Sequence, residues 1–522
     1  MSNKENQSVA VSAGKVSLAT AVSRILGLVR EQVQAYYFGA GMMTDAFVAA
    51  FRIPNLLRDL FAEGALSSAF VPVFKEKIVN RGKEEAFRLA NMTISNLVII
   101  VGSIVALGII FTPALIYISA KGFYDDPAKF ALTVNLTRIM FVFLLMVSVS
   151  AVQMGILNSC GRFGVPALAP TLFNAGMILA PVLLYSYFEV PIYTMAIGVL
   201  LGGLGQILFQ IPSLRKVGYR FQFKADFKDE GIARINRLIS PMILGLSASR
   251  INILVSTLLA SLLAEGAMSY LNYAYRLMHF PLGVFGVALG TVALPKVSEQ
   301  VASRREDLLV KTFHEAVGLS TFLVVPSAVY LAGFGTDLVR LIYERGAFDA
   351  AATANTAQAL LFYSFGLVGF AGVRVAAPVF YALGDARKPM IYSLVSVAVN
   401  IVLNFALIPF WDFAGLAAAT SAAGLVNFGQ LLFGLRRQIP AVDIKFIAVH
   451  FVKVSTAALL AFVSVRFIPF DRWFAIAGIG GKVLTVTAQI AAMGIIYLLI
   501  LKILKVEEVG RLQSFMNRLI RK

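Results

Sequence analysis

The chain has one cysteine, Cys160, and three histidines, His279, His314 and His450, in 522 residues. A lone thiol makes no disulfide framework, and histidines scattered without companion cysteines leave no metal site to propose. Charged residues are scarce, 14% against 58% hydrophobic, and mean hydropathy is +0.79. That balance excludes a soluble domain of any fold. Acidic residues are the rarer sign, 28 against 46 Lys and Arg. The resulting net charge of +18 would suggest nucleic acid in a soluble protein, but here the basic residues collect in short loops between apolar runs. That is the pattern of membrane proteins with basic cytoplasmic loops, and no nucleic-acid partner is expected. A nucleophile elbow, a P-loop and a zinc helix are all missing. The Gly-rich run Gly198 to Gln206 follows no strand, so it reads as small-residue helix packing rather than a phosphate loop. The first ten residues are polar and the first apolar run is broken by arginines with no small-residue cleavage site behind it, so no removable signal peptide is expected.

Long apolar runs are what the sequence has in quantity. With about 20 apolar residues to a span, it predicts an all-α polytopic membrane protein of about fourteen transmembrane helices. They lie near residues 14–38, 44–74, 88–118, 128–158, 166–188, 191–213, 236–263, 267–298, 308–334, 354–383, 389–409, 413–435, 446–468 and 481–504. Lys75, Lys77, Arg81, Lys83 and Arg88 follow the second span; Arg215, Lys216, Arg220, Lys224 and Lys228 follow the sixth; Arg436 and Arg437 follow the twelfth. The alternate loops hold almost no Lys or Arg, which puts both termini on the cytoplasmic side. Two outer loops do carry mixed charge, Lys121 to Lys129 and Asp337 to Asp349, and the second is expected to hold a short interfacial helix.

A weak internal repeat aligns Glu63–Glu76 with Gly286–Glu299, matching Pro72 with Pro295 and Glu76 with Glu299. Two copies of one six-helix unit in the same orientation are therefore expected, as in transporters built of parallel repeats. The predicted organisation is an N-lobe over 1–213, a cytoplasmic linker over 214–235, a C-lobe over 236–440, and helices 13 and 14 over 441–522. The last segment ends in a basic tail, Arg511, Arg518, Arg521 and Lys522, placed near anionic lipid.

The candidate functional residues are charges inside the spans. Arg24, Arg30, Arg52, Arg58 and Arg276 lie in apolar surroundings, where an ionised side chain at the bilayer centre costs about 2.5 to 3.5 kcal/mol. They must face a wet or protein-lined interior, and such a cluster suits an anion. Arginine's fork pairs two phosphate oxygens at once and stays charged. Seven residues advance a helix by about 20° short of two turns, so Asp45, Arg52 and Asp59 form one stripe, with Glu63 on the same side. The acids of that stripe would keep the arginines solvated. Pro54 and Gly27 permit kinks beside them. The competing structural reading is snorkelling toward an interface, stronger for Arg30 and Arg58 than for the deeper Arg24 and Arg52. His279, one turn from Arg276, is read first as packed or hydrogen-bonded, with proton coupling as the alternative. Asn400 and Asn404, four apart and facing Thr420 and Ser421, are read as a helix-packing pair, with a coupling-cation site as the sharper alternative.

The runs SRILGLVRE (Ser23 to Glu31), FGAGMMTDAFVAAFRIPNLLRDLFAEGALSSAFVP (Phe38 to Pro72), GRFGVPALAPTLFN (Gly161 to Asn174) and YRLMHFPLGVFGVALGTVALP (Tyr275 to Pro295) resemble the MurJ (MviN) lipid II flippases of bacteria, relatives of the MATE exporters. The resemblance covers essentially the whole chain. It implies two six-helix lobes in a V around a central cationic cavity, with the last two helices forming a groove for a polyprenyl tail. It assigns substrate binding to Arg24, Arg30, Arg58 and Arg276 and matches the acidic position of helix two to Asp45. Tyr275 and His279 stand where the family often has acids, and Asp59 where it often has a base.

The implied substrate is lipid II, a polyprenyl diphosphate bearing a disaccharide and peptide, flipped across the inner membrane by alternating access. The implied partners are lipid II, membrane lipids, and cell-wall synthesis or division proteins. No cofactor is expected, and the membrane potential or a coupling cation would supply the drive. The alternatives are a flippase of another polyprenyl-diphosphate-linked oligosaccharide, a MATE-like exporter, an intramembrane glycosyltransferase and a non-transporting scaffold. Arginine excess argues against an exporter of organic cations, and the modest outer loops argue against a glycosyltransferase.

Overall fold

The computed structural model describes residues 2–58, 65–474, 478–511 and 513, with side chains at all of these except 2–18, 65, 240–251, 284–295 and 471–472. Among them there is no strand. The helices in chain order are α1 (Ser2–Phe38), α2 (Met42–Arg58), α3 (Ala65–Ser119), α4 (Pro127–Ser159), α5 (Gly164–Leu184), α6 (Tyr193–Lys216), α7 (Glu230–Ser261), α8 (Ala267–Ala302), α9 (Glu306–Ile342), α10 (Ala350–Ala382), α11 (Arg387–Gln438), α12 (Ile444–Arg466), the single turn α13 (Phe470–Trp473) and α14 (Ile479–Ile503). Single 3-10 turns stand at Lys121–Asp125 and Tyr185–Tyr187.

Among the described residues, nine helices are long and apolar enough to cross a membrane by length and composition. Two of them run through places where the sequence predicted loops. Gly82 in α3 has φ 84 and ψ 175, and Asp412 in α11 has φ 48 and ψ −132. Such backbone breaks the i to i−4 ladder and lets one span turn into the next.

The chain divides into two compact units, Met1–Ser269 with Arg345–Phe348, and Tyr270–Glu344 with Asp349–Lys522. The division falls inside α8 rather than in the 214–235 linker. The reason lies in that linker, which is fastened to α3. Asn91 Oδ1 accepts from the Tyr219 hydroxyl at 2.7 Å and the Gln222 N–H at 3.2 Å. The Lys224 N–H donates to Ser95 Oγ at 2.8 Å and the Asp226 N–H to Asn96 Oδ1 at 3.1 Å. Alternate amides face one way because extended chain has a period of two. Burial pushes the Tyr219 phenol well above its usual range, so it stays a donor. α7 then starts under an Asp229 N-cap and packs on α3 within the first unit.

In the first unit the core is aromatic and aliphatic, with Phe70 and Phe74 of α3 buried among Phe141, Phe143 and Leu144 of α4. The Gly-rich run does what its composition predicted. A Cβ on Gly176 of α5 would lie 2.6 Å from both Gly198 O and Gly202 N of α6, so only glycine lets these two helices touch backbone to backbone.

In the second unit, α9 packs against α10, α12 and α14. Ala457, Ala458 and Ala461 of α12 are buried against it, and the Tyr497 hydroxyl of α14 donates to Phe322 O at 2.8 Å. The two C-terminal helices thus share a core with α9.

The segment at 337–349 starts in a short helical stretch that a break at Phe334 (φ −115, ψ 17) sets off from the rest of α9, as expected of a separate short helix. Arg345–Phe348 belongs to the first unit, where the Ala347 N–H donates to Tyr36 O at 2.8 Å.

Candidate functional site

Arg30 is the candidate cation of the first unit whose partners are best defined. Ser23, Gly27 and Arg30 share one face of α1 by their spacing of four and three, and Asn174 of α5 sits against that face. Its amide nitrogen donates to Ser23 O at 3.1 Å, and its amide oxygen accepts from Arg30 Nη1 at 3.1 Å. Arg30 Nη2 pairs with Glu31 Oε1, and the guanidinium lies 5.7 Å from the Phe173 ring centroid. Glu31 is buried, its side chain 5% exposed, and Arg30 is partly buried, its side chain 12% exposed. An arginine held this way does not snorkel. One acid, one amide and one aromatic face replace the water it gave up.

Asp45 departs from the predicted stripe. Its carboxylate is buried at the start of α2 and is filled by four donors. Oδ2 accepts from Lys129 Nζ at 3.0 Å and the Gly266 N–H at 2.8 Å; Oδ1 accepts from the Ser269 N–H at 2.9 Å and the Ser269 hydroxyl at 2.6 Å. Gly266 and Ser269 bracket the first turn of α8, so Asp45 caps the positive end of that helix. The favour is returned, for Glu265 Oε1 accepts from the Met42 N–H that opens α2 at 2.8 Å. Lys129 is aimed by its own helix start. Asp126 caps α4 through Ala128 and Lys129 N–H, Pro127 occupies the first turn, and the ammonium lies 4.2 Å over the Phe123 ring. Solvating an arginine is therefore not what Asp45 does here. Asp59 and Glu63, the other acids of the stripe, lie outside the described residues.

Arg24 is exposed on α1, while Arg52 and Arg58 are half-buried on α2 around a buried Pro54. These and Arg30 all belong to the first unit, whereas Arg276, exposed on α8, belongs to the second. The His279 Nδ1–H donates to Tyr275 O at 3.1 Å, and the imidazole lies tilted against the Tyr275 ring with centroids 4.0 Å apart, a packed, hydrogen-bonded arrangement. Asn404 donates to Asn400 Oδ1 at 3.1 Å and Asn400 to Thr420 Oγ1 at 3.4 Å, so this face meets Thr420 as predicted. Ser421 instead donates to Phe362 O of α10. Among the described residues no cluster of His, Cys, Asp or Glu could hold a metal ion.

Three residues of this chemistry escaped the sequence reading. Asn174 ends the run GRFGVPALAPTLFN, and an amide deep in an apolar span needs a partner and so signals one. Lys129 was counted as an outer-loop charge, although Asp126-Pro127 ahead of it marks a helix start. Arg374 stands mid-span in α10, where Nη1 donates to Leu282 O at 3.1 Å; the rule that selected Arg276 selects it too.

The family described as lipid II flippase MurJ matches residues 34–488. The chain belongs to the MurJ lipid II flippase family. A relative from Vibrio cholerae, described as a probable lipid II flippase MurJ, is 37% identical over 430 residues, covering 81% of this chain and 82% of its own. A lipid II flippase MurJ from Burkholderia cenocepacia is 34% identical over 427 residues, covering 81% and 83%. Among solved structures, a lipid II flippase MurJ in an inward closed conformation superposes with a TM-score of 0.78 at 26% identity, covering 94% of this chain and 99% of that one. An inward-facing multidrug MATE transporter of the MOP superfamily gives 0.68 at 16% identity, over 80% and 95%, and shares the fold. In this chain Asn174 and Glu31 hold Arg30 of α1 in place.

Proposed function

We propose that this protein flips lipid II from the cytoplasmic to the outer leaflet of the bacterial inner membrane, acting as a transporter without a catalytic step. The observation that carries the reading is Arg30, a guanidinium fixed inside a membrane-spanning helical unit by Asn174 and Glu31 instead of reaching for an interface. A diphosphate and peptide carboxylates need several such partners away from bulk water. Arg24, Arg52 and Arg276 bind the diphosphate, and Arg30 and Arg58 guide its entry. The groove for the polyprenyl tail falls to α12 and α14. Both termini are cytoplasmic by the distribution of Lys and Arg.

The Asp45 cluster acts within the first unit: four donors on one buried carboxylate, with a reciprocal cap from Glu265, make a latch that ties the start of α2 to the start of α8.

The membrane potential drives the anionic head outward. Asn404 Oδ1 is buried and has no hydrogen-bond partner among the described residues; with Asn400 and Thr420 it offers oxygen donors to a coupling monovalent cation. Thermal protection by sodium over potassium, abolished in Asn404→Leu, is the measurement for that role. Equal melting in both salts leaves the pair to helix packing.

The test of the function is the outer-face accessibility of lipid II in bacteria depleted of their own flippase and supplied with this chain or its Arg276→Ala variant. Restoration by the chain and not by the variant is expected. A well-expressed chain that restores nothing in a compatible host overturns the reading and points to another polyprenyl-linked oligosaccharide.

A further inference from the structure

Within the first unit, α3, α4, α6 and the start of the linker line a half-open cavity of about 670 Å³. That is within the range of roughly 300 to 1,000 Å³ typical of small-ligand sites. Its walls are aliphatic, Ile94 and Val98 from α3, Val149 from α4, and Ile207 and Ile211 from α6. At one end stand two arginines, Arg215 in the last turn of α6 and Arg220 in the linker. Both are exposed, and neither has an ion-pair partner among the described residues. Gln153 of α4 also lines the cavity; it is 7% exposed, and its amide oxygen has no hydrogen-bond partner among the described residues. A buried acceptor left open is costly unless something donates to it. The linker adds Phe221, Phe223 and Phe227, all exposed, interleaved with Arg220, Lys224 and Lys228. Aromatics alternating with cations suit the headgroup level of a membrane.

We infer that this cavity is a binding site for an anionic glycerophospholipid of the leaflet that the basic loops face. An acyl chain fills the aliphatic walls, the phosphodiester sits between Arg215 and Arg220, and a glycerol or headgroup hydroxyl donates to Gln153. A free phosphate would use the arginines and leave the walls empty; a zwitterionic lipid would fill the walls and bring its own cation to the arginines. The chemistry of both ends together selects a lipid of net negative charge. None of these residues is among those assigned to the transported substrate, so the site stands whether or not the flippase reading does. Its setting explains the fastened linker. By holding Tyr219 and Gln222 on Asn91, α3 keeps Arg220 at the cavity mouth.

The experiment is native mass spectrometry of the full-length protein in detergent, titrated with phosphatidylglycerol, phosphatidylcholine of the same chains, or inorganic phosphate. Two cations near a headgroup give phosphatidylglycerol a preference of roughly thirtyfold over phosphatidylcholine. Arg215→Gln with Arg220→Gln abolishes the preference, Ile207→Trp lowers binding of both lipids by filling the cavity, and both variants melt like the parent. Equal retention of the two lipids, an unchanged preference in the double variant, or saturation by phosphate alone overturns the assignment. So does displacement of phosphatidylglycerol by lipid II at one-to-one stoichiometry together with loss of lipid II binding in the double variant, which would make the cavity part of the substrate's path.

Discussion

Ser269 holds Asp45 Oδ1 with both its backbone N–H, at 2.9 Å, and its hydroxyl, at 2.6 Å. The other carboxylate oxygen takes Lys129 and the Gly266 amide. With side-chain exposures of 2% for Asp45 and 10% for Lys129, this pair is buried deeply enough for its geometry to matter.

Breaking one side of a buried ion pair leaves the other charge uncompensated, at a cost of about 3 kcal/mol or more. Asp45→Asn is therefore expected to lower the thermal midpoint of the purified protein by roughly 5 °C or more. Lys129→Met lowers it as well, and the double variant recovers part of the loss because no lone charge remains. A double-mutant cycle in which the two changes simply add would remove the latch from the account.

The contact of Arg30 with Asn174 predicts a different pattern. Arg30→Lys keeps the charge but cannot pair with Glu31 and Asn174 in the same fork geometry. Losing one charge-assisted hydrogen bond is worth about 1.5 kcal/mol, so flipping in Arg30→Lys and in Asn174→Leu is expected to fall roughly tenfold each. Because both changes remove the same Arg30–Asn174 contact, the double variant should be little worse than either. Outer-face lipid II accessibility reads this directly, and wild-type transport by Asn174→Leu would show that the orientation of Arg30 is immaterial.

Cys160 reports both topology and burial. It follows α4 on the side assigned to the cytoplasm, so a membrane-impermeant maleimide should label it in inverted vesicles and leave it untouched in intact cells. Burial pushes its thiol above the ordinary value of 9.0, against a smaller opposing effect of Lys83. Thiolate is the reactive form, so labelling should be slow at pH 7 and still climbing as pH passes 9. Rapid labelling from outside would reverse the assigned orientation.

How much of this was legible in the sequence depended on the kind of signal. Apolar runs set the helices, and glycines at Gly198 and Gly202 announced a close helix contact, because both are local patterns. The intramembrane arginines were legible for the same reason, since a charge in an apolar run is conspicuous. The partners were not. Asp45 and Arg52 share a helix face by arithmetic, but the start of α8, more than two hundred residues away, supplies better donors for Asp45 than any arginine on α2. The linker at 219–226 looked like a boundary because it is polar, and it fails to be one because Asn91, Ser95 and Asn96 offer it a ladder of side-chain partners. Arg374, a charge in the apolar run of α10, is legible by the same rule as Arg276.

The last prediction concerns the drive. Moving one elementary charge through the full membrane field is worth about 2.3 kcal/mol per 100 mV, so an inside-negative potential favours outward passage of any anionic head whose charge the protein leaves partly uncompensated. In the first unit Glu31 already neutralises Arg30, and Asp45 is spent on Lys129, which leaves the remaining arginines to set the charge carried with the substrate. Adding a carboxylate beside them should then weaken the coupling: with Phe51→Glu on α2, next to Arg52, dissipating the potential is expected to slow flipping less than in the parent. Collapse of the potential with an ionophore, at constant pH and sodium, should slow flipping in the parent several-fold. Transport indifferent to the potential in the parent would shift the drive to a coupling cation, and the Asn400, Asn404 and Thr420 face becomes the place to look.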